Sequence, residues 1–229
     1  MSPSSQPATV RGPAFIRLLA RFAELSPAES GRSLPDRLSQ WLDWNHALAL
    51  STALEGKPAA GLEQGAAGGS AVADECAGVR RALARAGNDA CASVAAGHAA
   101  AAAAAVDYAD FRQCYLARQR AMQSATGRLR GRVRDRLAAT SAAMARLAEV
   151  DAAMEAALSP REHTLLAGVP ALLGVRFERL RGTAGGPPPG TARTPWLEVF
   201  RQDMQGLLLA ELDVRFQPVE GLLAALRTC

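Results

Sequence analysis

The stretch Arg128-Leu-Arg-Gly-Arg-Val-Arg-Asp-Arg136 lies at the centre of the longest helical pattern in the chain, residues 106–158. This pattern contains no proline, and its large apolar residues recur every three to four positions, the period of one side of an α-helix. A single helix of that length would extend about 80 Å, and uncapped patterns so long indicate a coiled coil or a hidden break. We expect a break near Thr140-Ser141, because Ser141 can cap a second helix.

The fold class follows from this stretch and from the composition. Alanine is abundant and only 5% of residues are aromatic, which favours helix over strand nearly everywhere. The prediction is an all-α protein, an elongated helical bundle with a long coiled-coil-like helix or hairpin that packs on itself or self-associates.

The arginines of this stretch fall on two sides of the predicted helix. Successive residues four apart turn by about 40°, so one ridge holds Arg128, Arg132 and Arg136. Arg130 and Arg134 lie on the other side, and a line of Leu129, Val133 and Leu137 runs between the two ridges. Basic ridges that flank an apolar seam are typical of a coiled-coil helix.

Charge is distributed unevenly along the chain. Residues 112–136 contain eight arginines and one acid, a charge of +7, whereas the whole chain carries +4. The remainder is therefore acidic, and residues 196–226 alone hold five carboxylates against two arginines. The asymmetry predicts an acidic group against the basic segment, and it leaves open a phosphate backbone, another protein or the chain's own C-terminal helix.

Outward from the centre, the N-terminal part reads as helical. Pro13 starts a helix with an apolar stripe that begins at Phe15, and Ser33 caps a second helix. That second helix carries Trp41 and Trp44, which we expect to be structural anchors, with Leu48 and Leu54 in its buried stripe. Residues 1–55 thus form a helical segment.

Residues 56–105 are rich in glycine, alanine and serine and have few large apolar side chains. Such a segment offers little burial to offset the entropy of ordering, so we expect a poorly ordered insertion with at most a short helix over 72–86. Residues 106–229 form the bundle, as one domain with residues 13–55.

Prolines divide the C-terminal third. Ser159-Pro160-Arg161-Glu162 reads as a helix start, Pro170 is expected to kink the following apolar helix, and Pro218 to end or bend the last one. Pro170 joins the two tryptophans as a predicted anchor. The last helix begins near Thr194-Pro195 and carries Trp196 and Phe200, which are candidates for an exposed contact surface because aromatic residues commonly anchor interfaces.

The sequence contains no recognisable catalytic motif. No Glu-x-x-His occurs, the histidines are isolated, no nucleophile elbow surrounds a serine or cysteine, and no glycine-rich stretch ends as a phosphate loop. We expect no enzyme, no metal and no cofactor. Four scattered cysteines without a C-x-x-C pair indicate reduced thiols in the cytoplasm, and no apolar run is long enough to span a bilayer.

Three blocks of sequence resemble a family known as domain of unknown function 3348. They are Arg37-Leu-Ser-Gln-Trp-Leu-Asp-Trp44, Leu165-Leu-Ala-Gly-Val-Pro-Ala-Leu-Leu173, and Asp203-Met-Gln-Gly-Leu-Leu-Leu-Ala-Glu-Leu-Asp213 with Arg215-Phe-Gln-Pro-Val-Glu-Gly-Leu222 after it. The resemblance implies a proteobacterial, cytoplasmic helical protein, and it suggests a membrane-associated motor-type complex as a partner. It carries over no catalytic residue.

Two functions are consistent with these observations. The first is a non-enzymatic cytoplasmic adaptor or assembly protein that docks through helix surfaces, with a protein partner or a second copy of itself. The alternative is binding of nucleic acid or another anionic surface through residues 112–136. A phosphate-binding face would lose affinity steeply with salt.

Overall fold

The structure, a computed structural model, describes residues 13–23, 43–55, 69–98, 106–183 and 195–228. Within these ranges the chain is all-α and contains no strand, as predicted. Its helices are α1 (Ala14–Ala23), α2 (Trp44–Glu55), α3 (Gly69–His98), α4 (Tyr108–Ala138), α5 (Ala142–Leu166), α6 (Val169–Thr183) and α7 (Pro195–Arg227).

The long central pattern is a hairpin of α4 and α5. Asp107 caps α4, since its carboxylate accepts a hydrogen bond from the Ala109 amide at 3.0 Å. After Ala138 the chain turns, and the Ser141 hydroxyl accepts from the Met144 amide at 3.3 Å to start α5. The predicted break is therefore confirmed. The seam residues Leu129, Val133 and Leu137 are fully buried, so the hairpin and its neighbours cover the seam within one chain.

Helix α7 supplies the largest share of the core and packs against α1, α3, α4 and α6. Its buried side chains follow the helical period, because residues three and four apart share a face. An aromatic cluster fills the space between α4, α6 and α7. Its rings meet mostly edge to face, at centroid distances of 5.0–6.2 Å, and belong to Tyr108, Phe111, Phe177, Trp196 and Phe200.

The expectation for the Gly/Ala-rich segment was wrong over the part that the structure describes. Residues 69–98 form the 30-residue helix α3, which packs against α4 and α7, and Val72, Cys76 and Cys91 are buried in the core. Alanine has the highest helix propensity, and small side chains allow close approach, as at Gly87 beside Leu208. Burial against two existing helices supplies the order that the segment's own side chains do not. Residues 56–68 and 99–105 lie outside the described residues.

The prolines also behave differently from the predictions. Pro160 lies inside α5 and Pro218 inside α7, and neither helix starts or ends there. Pro170 is the second residue of α6 rather than a kink within it, a position where a missing amide hydrogen costs nothing. The turn that separates α5 from α6 falls at Ala167-Gly168. Packing along the neighbouring helices holds α5 and α7 continuous despite one absent backbone hydrogen bond in each.

The two N-terminal helices pack against different helices of the bundle. Helix α1 packs on α6 and α7 with Phe15 and Phe22 buried, so its apolar stripe faces the core. The Arg21 and Arg176 guanidinium groups both contact the Asp203 carboxylate at 2.8 Å and fasten α1 to this surface. Helix α2 packs instead against α5. The predicted cap at Ser33 and the anchor Trp41 lie outside the described residues.

Candidate functional site

One of the two predicted arginine ridges, Arg130 and Arg134, is used inside the hairpin. Arg130 contacts the Asp151 carboxylate of α5 through two nitrogens at 2.6 and 2.8 Å. Arg134 contacts the same carboxylate at 3.1 Å and also Glu155. All four side chains are largely buried. These two arginines, predicted as interaction candidates, therefore join α4 to α5.

The other ridge remains at the surface. Arg132 pairs with Glu75 of α3 at 2.5 Å, and Arg128 donates to the Ser124 hydroxyl at 2.5 Å. Arg128 and Arg136, like Arg112 and Arg120, are exposed and form no ion pair with any residue that the structure describes. These four are spaced by eight residues, so each is rotated by about 80° from the last. They do not form one continuous basic face.

In the described ion pairs, the acidic C-terminal helix α7 does not neutralise the arginines of residues 112–136. In the described ion pairs, the arginines of α4 are neutralised by Glu75 of α3 and by Asp151 and Glu155 of α5. The carboxylates of α7 pair with arginines elsewhere in the bundle: Glu198 with Arg201, Asp203 with Arg21 and Arg176, Glu211 with Arg215, and Asp213 and Glu220 with Arg80.

Two of the predicted contact residues are core residues. Trp196 and Phe200 are 6% and 0% exposed and belong to the aromatic cluster. The prediction that they form a docking surface was wrong, because α7 is covered on several sides by other helices. Pro170, predicted as an anchor, is buried, and its carbonyl accepts a hydrogen bond from the Tyr108 hydroxyl.

Helix α2 exposes three large apolar side chains, and its Trp44 is the most exposed large apolar residue among those that the structure describes. Trp44 is 81% exposed, Leu54 60% and Leu48 56%, so Trp44 is no anchor and the predicted buried stripe was wrong. On the helix these three residues share the outer half with Ala47, Ser51 and Glu55, at about 100° per residue. On the inner side, against α5, Ala53 is buried, and His46 and Leu50 beside it are half-buried.

This arrangement inverts the usual amphipathic helix, in which the large apolar residues face the core. Contiguous exposed apolar surface commonly marks an interaction site. The sequence contains a signal for it, since the small residues Ala49 and Ala53 lie on the side of α2 opposite Trp44. The outer surface of α2, defined by Trp44, Ala47, Leu48, Ser51, Leu54 and Glu55, is therefore the candidate functional site.

A buried polar network lies between α4, α5 and α7. Glu211 has no exposed surface, and one of its oxygens accepts from the Tyr115 hydroxyl at 2.7 Å and from the Gln119 amide at 3.0 Å. The other oxygen accepts from Arg215 at 2.8 and 3.0 Å. Arg215 reaches Glu162 at 2.9 Å. Burial and the nearby Glu211 carboxylate hold the pKa of Tyr115 well above its usual range.

Sequence analysis missed this network, although Glu211 stands three and four residues after Leu208 and Leu207 on the apolar side of α7. A polar cleft beside it is lined by Ser159, Glu162 and His163. The Glu162 carboxylate is paired with Arg215 at 2.9 Å. The network thus joins three helices, and every group of it is satisfied within the protein.

The described residues give little support for a reactive cysteine or a metal site. Burial raises the pKa of Cys91 to about 12 and also raises the pKa values of Cys76 and Cys114, so these thiols are protonated at neutral pH and poor nucleophiles. The described ranges contain no group of three His, Cys, Asp or Glu side chains that could hold a metal ion.

In the described residues the protein is an all-α bundle whose helix α2 exposes Trp44, Leu48 and Leu54. The chain belongs to the family described as protein of unknown function (DUF3348), whose family model matches residues 1–228. No curated protein and no solved structure matches the chain. None of the helices that the structure describes has the length and apolar character needed to cross a membrane.

Proposed function

We propose that this chain is a non-enzymatic, cytoplasmic docking protein, an adaptor or assembly component, that binds a protein partner through the outer surface of α2. One observation carries the proposal: α2 turns Trp44, Leu48 and Leu54 outward, while its buried residue is the small Ala53. Removing large apolar side chains from water is favourable. A partner that covers these residues is therefore stabilised on binding.

The rest of the bundle supports this assignment by contrast. The apolar faces of α4, α6 and α7 are filled by one another, and the exposed large hydrophobic residues on these helices, Val175 and Val199, are single and less exposed than Trp44. Hot spots of protein interfaces are enriched in tryptophan. Trp44 is therefore the residue on which we expect binding to depend most.

The geometry favours protein docking over the alternative of nucleic-acid or anionic-surface binding through residues 112–136. Arg130, Arg132 and Arg134 have carboxylate partners within the chain, and the exposed arginines turn around α4. A phosphate backbone is bound through arginines that act together on one face, and this helix offers no more than two of its unpaired arginines in any one direction.

Site-specific photocrosslinking in the source cells tests the proposal. A photoreactive phenylalanine analogue at position 48 or 54 should give discrete protein adducts, whereas the same group at Val175, which is 52% exposed on α6, should not. Trp44→Glu should remove the adducts formed from position 54. Equal adducts at all three positions, or none at 48 and 54, would show that α2 is not the docking surface.

A further inference from the structure

The outer surface of α2 is bordered by carboxylates. Asp43 precedes the helix and caps it, since its carboxylate accepts from the His46 backbone amide at 2.8 Å, and its side chain remains 60% exposed. Glu55 ends the helix on the same side as Trp44 and Leu48, where it accepts from the Ser51 hydroxyl at 2.9 Å. Glu149 of α5 is exposed in the groove beside Leu48.

Within the described residues of α2 the basic side chain is His46, whose Nδ1 lies 2.9 Å from the Asp43 carboxylate. Residues 43–55 contain two carboxylates and no arginine or lysine. Arg146, one turn before Glu149 on α5, is half-buried and already has contacts of its own, and Glu149 forms no ion pair with any described residue. An incoming partner therefore meets an apolar strip with negative charge at both ends and along one edge.

The dimensions of the strip fit one helix. The 12 residues of α2 extend about 18 Å at 1.5 Å per residue, and Trp44, Leu48, Ser51 and Glu55 lie along one line at intervals of four, three and four. A second helix laid along this line would present apolar residues at the matching spacing. Its charged residues would meet Asp43 and Glu55 if they stood about eleven positions apart, just outside its apolar stripe.

Resting on the proposed function, we infer that the occupant of the α2 surface is an amphipathic helix of a partner protein with lysine or arginine at both ends of its apolar stripe. Opposite charges at the rim of an interface select the partner and speed association. A second copy of α2 fits poorly, because an antiparallel α2 pair sets Asp43 against Glu55 at both ends and a parallel pair sets each against itself. The same carboxylates disfavour an anionic membrane.

The test uses the full-length protein and two labelled 18-residue helical peptides. Both carry leucines at the i, i+4 and i+7 positions, and they differ only in having lysines or glutamates at the two ends of this stripe. Fluorescence anisotropy at low salt should show the lysine peptide binding at least tenfold more tightly than the glutamate peptide, and this preference should shrink as salt screens the charges.

Variants separate the apolar and charged contributions. Trp44→Glu should weaken binding of the lysine peptide at least tenfold, whereas Leu165→Glu, a matched change at another exposed leucine, should leave it unchanged. The double variant Glu55→Gln/Glu149→Gln should reduce the preference between the two peptides at least threefold while apolar binding persists. Circular dichroism verifies that each variant is folded.

Each contrary outcome has a separate meaning. If both peptides bind equally and Trp44→Glu abolishes both, α2 is a docking surface but the inferred basic partner is wrong. If Trp44→Glu leaves the affinity for both peptides unchanged, the proposed function itself is wrong. Absence of binding to either peptide, or a dimer in light scattering that Trp44→Glu dissociates, overturns the basic helix as occupant.

Discussion

Glu211 shows how a single residue on an apolar helix face can decide local packing. Its carboxylate is fully buried and accepts hydrogen bonds from three different side chains. A buried charge is tolerated only when it is paired and hydrogen-bonded. Because its donors come from α4 and α7 and Arg215 continues to Glu162 of α5, the network fixes the relative position of three helices.

We predict that Glu211→Ala lowers the free energy of unfolding by about 3–5 kcal/mol, because it leaves the Arg215 charge and two other donors without their acceptor. Urea unfolding monitored by circular dichroism measures the change. Glu178→Ala, which removes an exposed pair with Arg181, is the matched control and should cost less than about 1 kcal/mol. A loss for Glu211→Ala as small as that of the control would show that the network does not stabilise the bundle.

At the scale of elements, the α4–α5 hairpin combines an apolar seam with buried ion pairs at its side. Leu129 and Val133 are fully buried, while Arg130 and Arg134 hold Asp151 and Glu155 across the hairpin. The coiled-coil-like period of the sequence is therefore satisfied within one chain. No second chain is needed to cover this seam.

The second prediction follows from that packing. Leu129→Ala should destabilise the protein by about 2–5 kcal/mol, the cost of removing a buried leucine and leaving a cavity, without a change of oligomeric state. Leu147→Ala on α5, at a leucine that is 37% exposed, should cost under about 1.5 kcal/mol, since partial burial leaves less contact to lose. Chemical unfolding and light scattering together test it. A lower mass for Leu129→Ala at unchanged stability would instead assign the seam to self-association.

For the whole molecule, the basic segment that dominates the sequence is dispersed in three dimensions. Three of its arginines are paired with α3 and α5, and Arg118 faces the small cavity beside Leu208. The apolar surface of α2, by contrast, gathers its large residues on one side. The exposed apolar residues lie together on one side of α2, which favours protein docking. The unpaired arginines are distributed around α4, which disfavours phosphate binding.

The third prediction concerns this contrast. Affinity for duplex DNA measured against salt should give a slope equivalent to about two phosphate contacts or fewer, because the logarithm of the affinity falls by about 0.9 per phosphate contacted for each tenfold rise in salt. Replacing Arg112, Arg120, Arg128 and Arg136 by glutamine should change that slope little. A slope corresponding to six or more contacts, flattened by those substitutions, would make the anionic-surface alternative the better function.

The sequence alone determined the helical class, the hairpin break and the positions of the apolar stripes on α1 and α4. These are local properties: Ser141 caps the helix that follows it, and residues three and four apart share a face in any helix. The resemblance of the three motif blocks also located the family correctly. A feature can be predicted from the sequence when the interactions that decide it lie within a few residues along the chain.

Tertiary structure decided the features that depend on neighbours distant in the chain. Helix α3 packs against α4 and α7. Pro160 and Pro218 lie within continuous helices. Trp196 is buried, whereas Trp44 is exposed. In the sequence both tryptophans precede helical apolar patterns and cannot be told apart. The physical reason is that burial depends on which surfaces meet: α7 is covered from several sides, whereas α2 packs on α5 with Ala53 buried and leaves Trp44, Leu48 and Leu54 exposed.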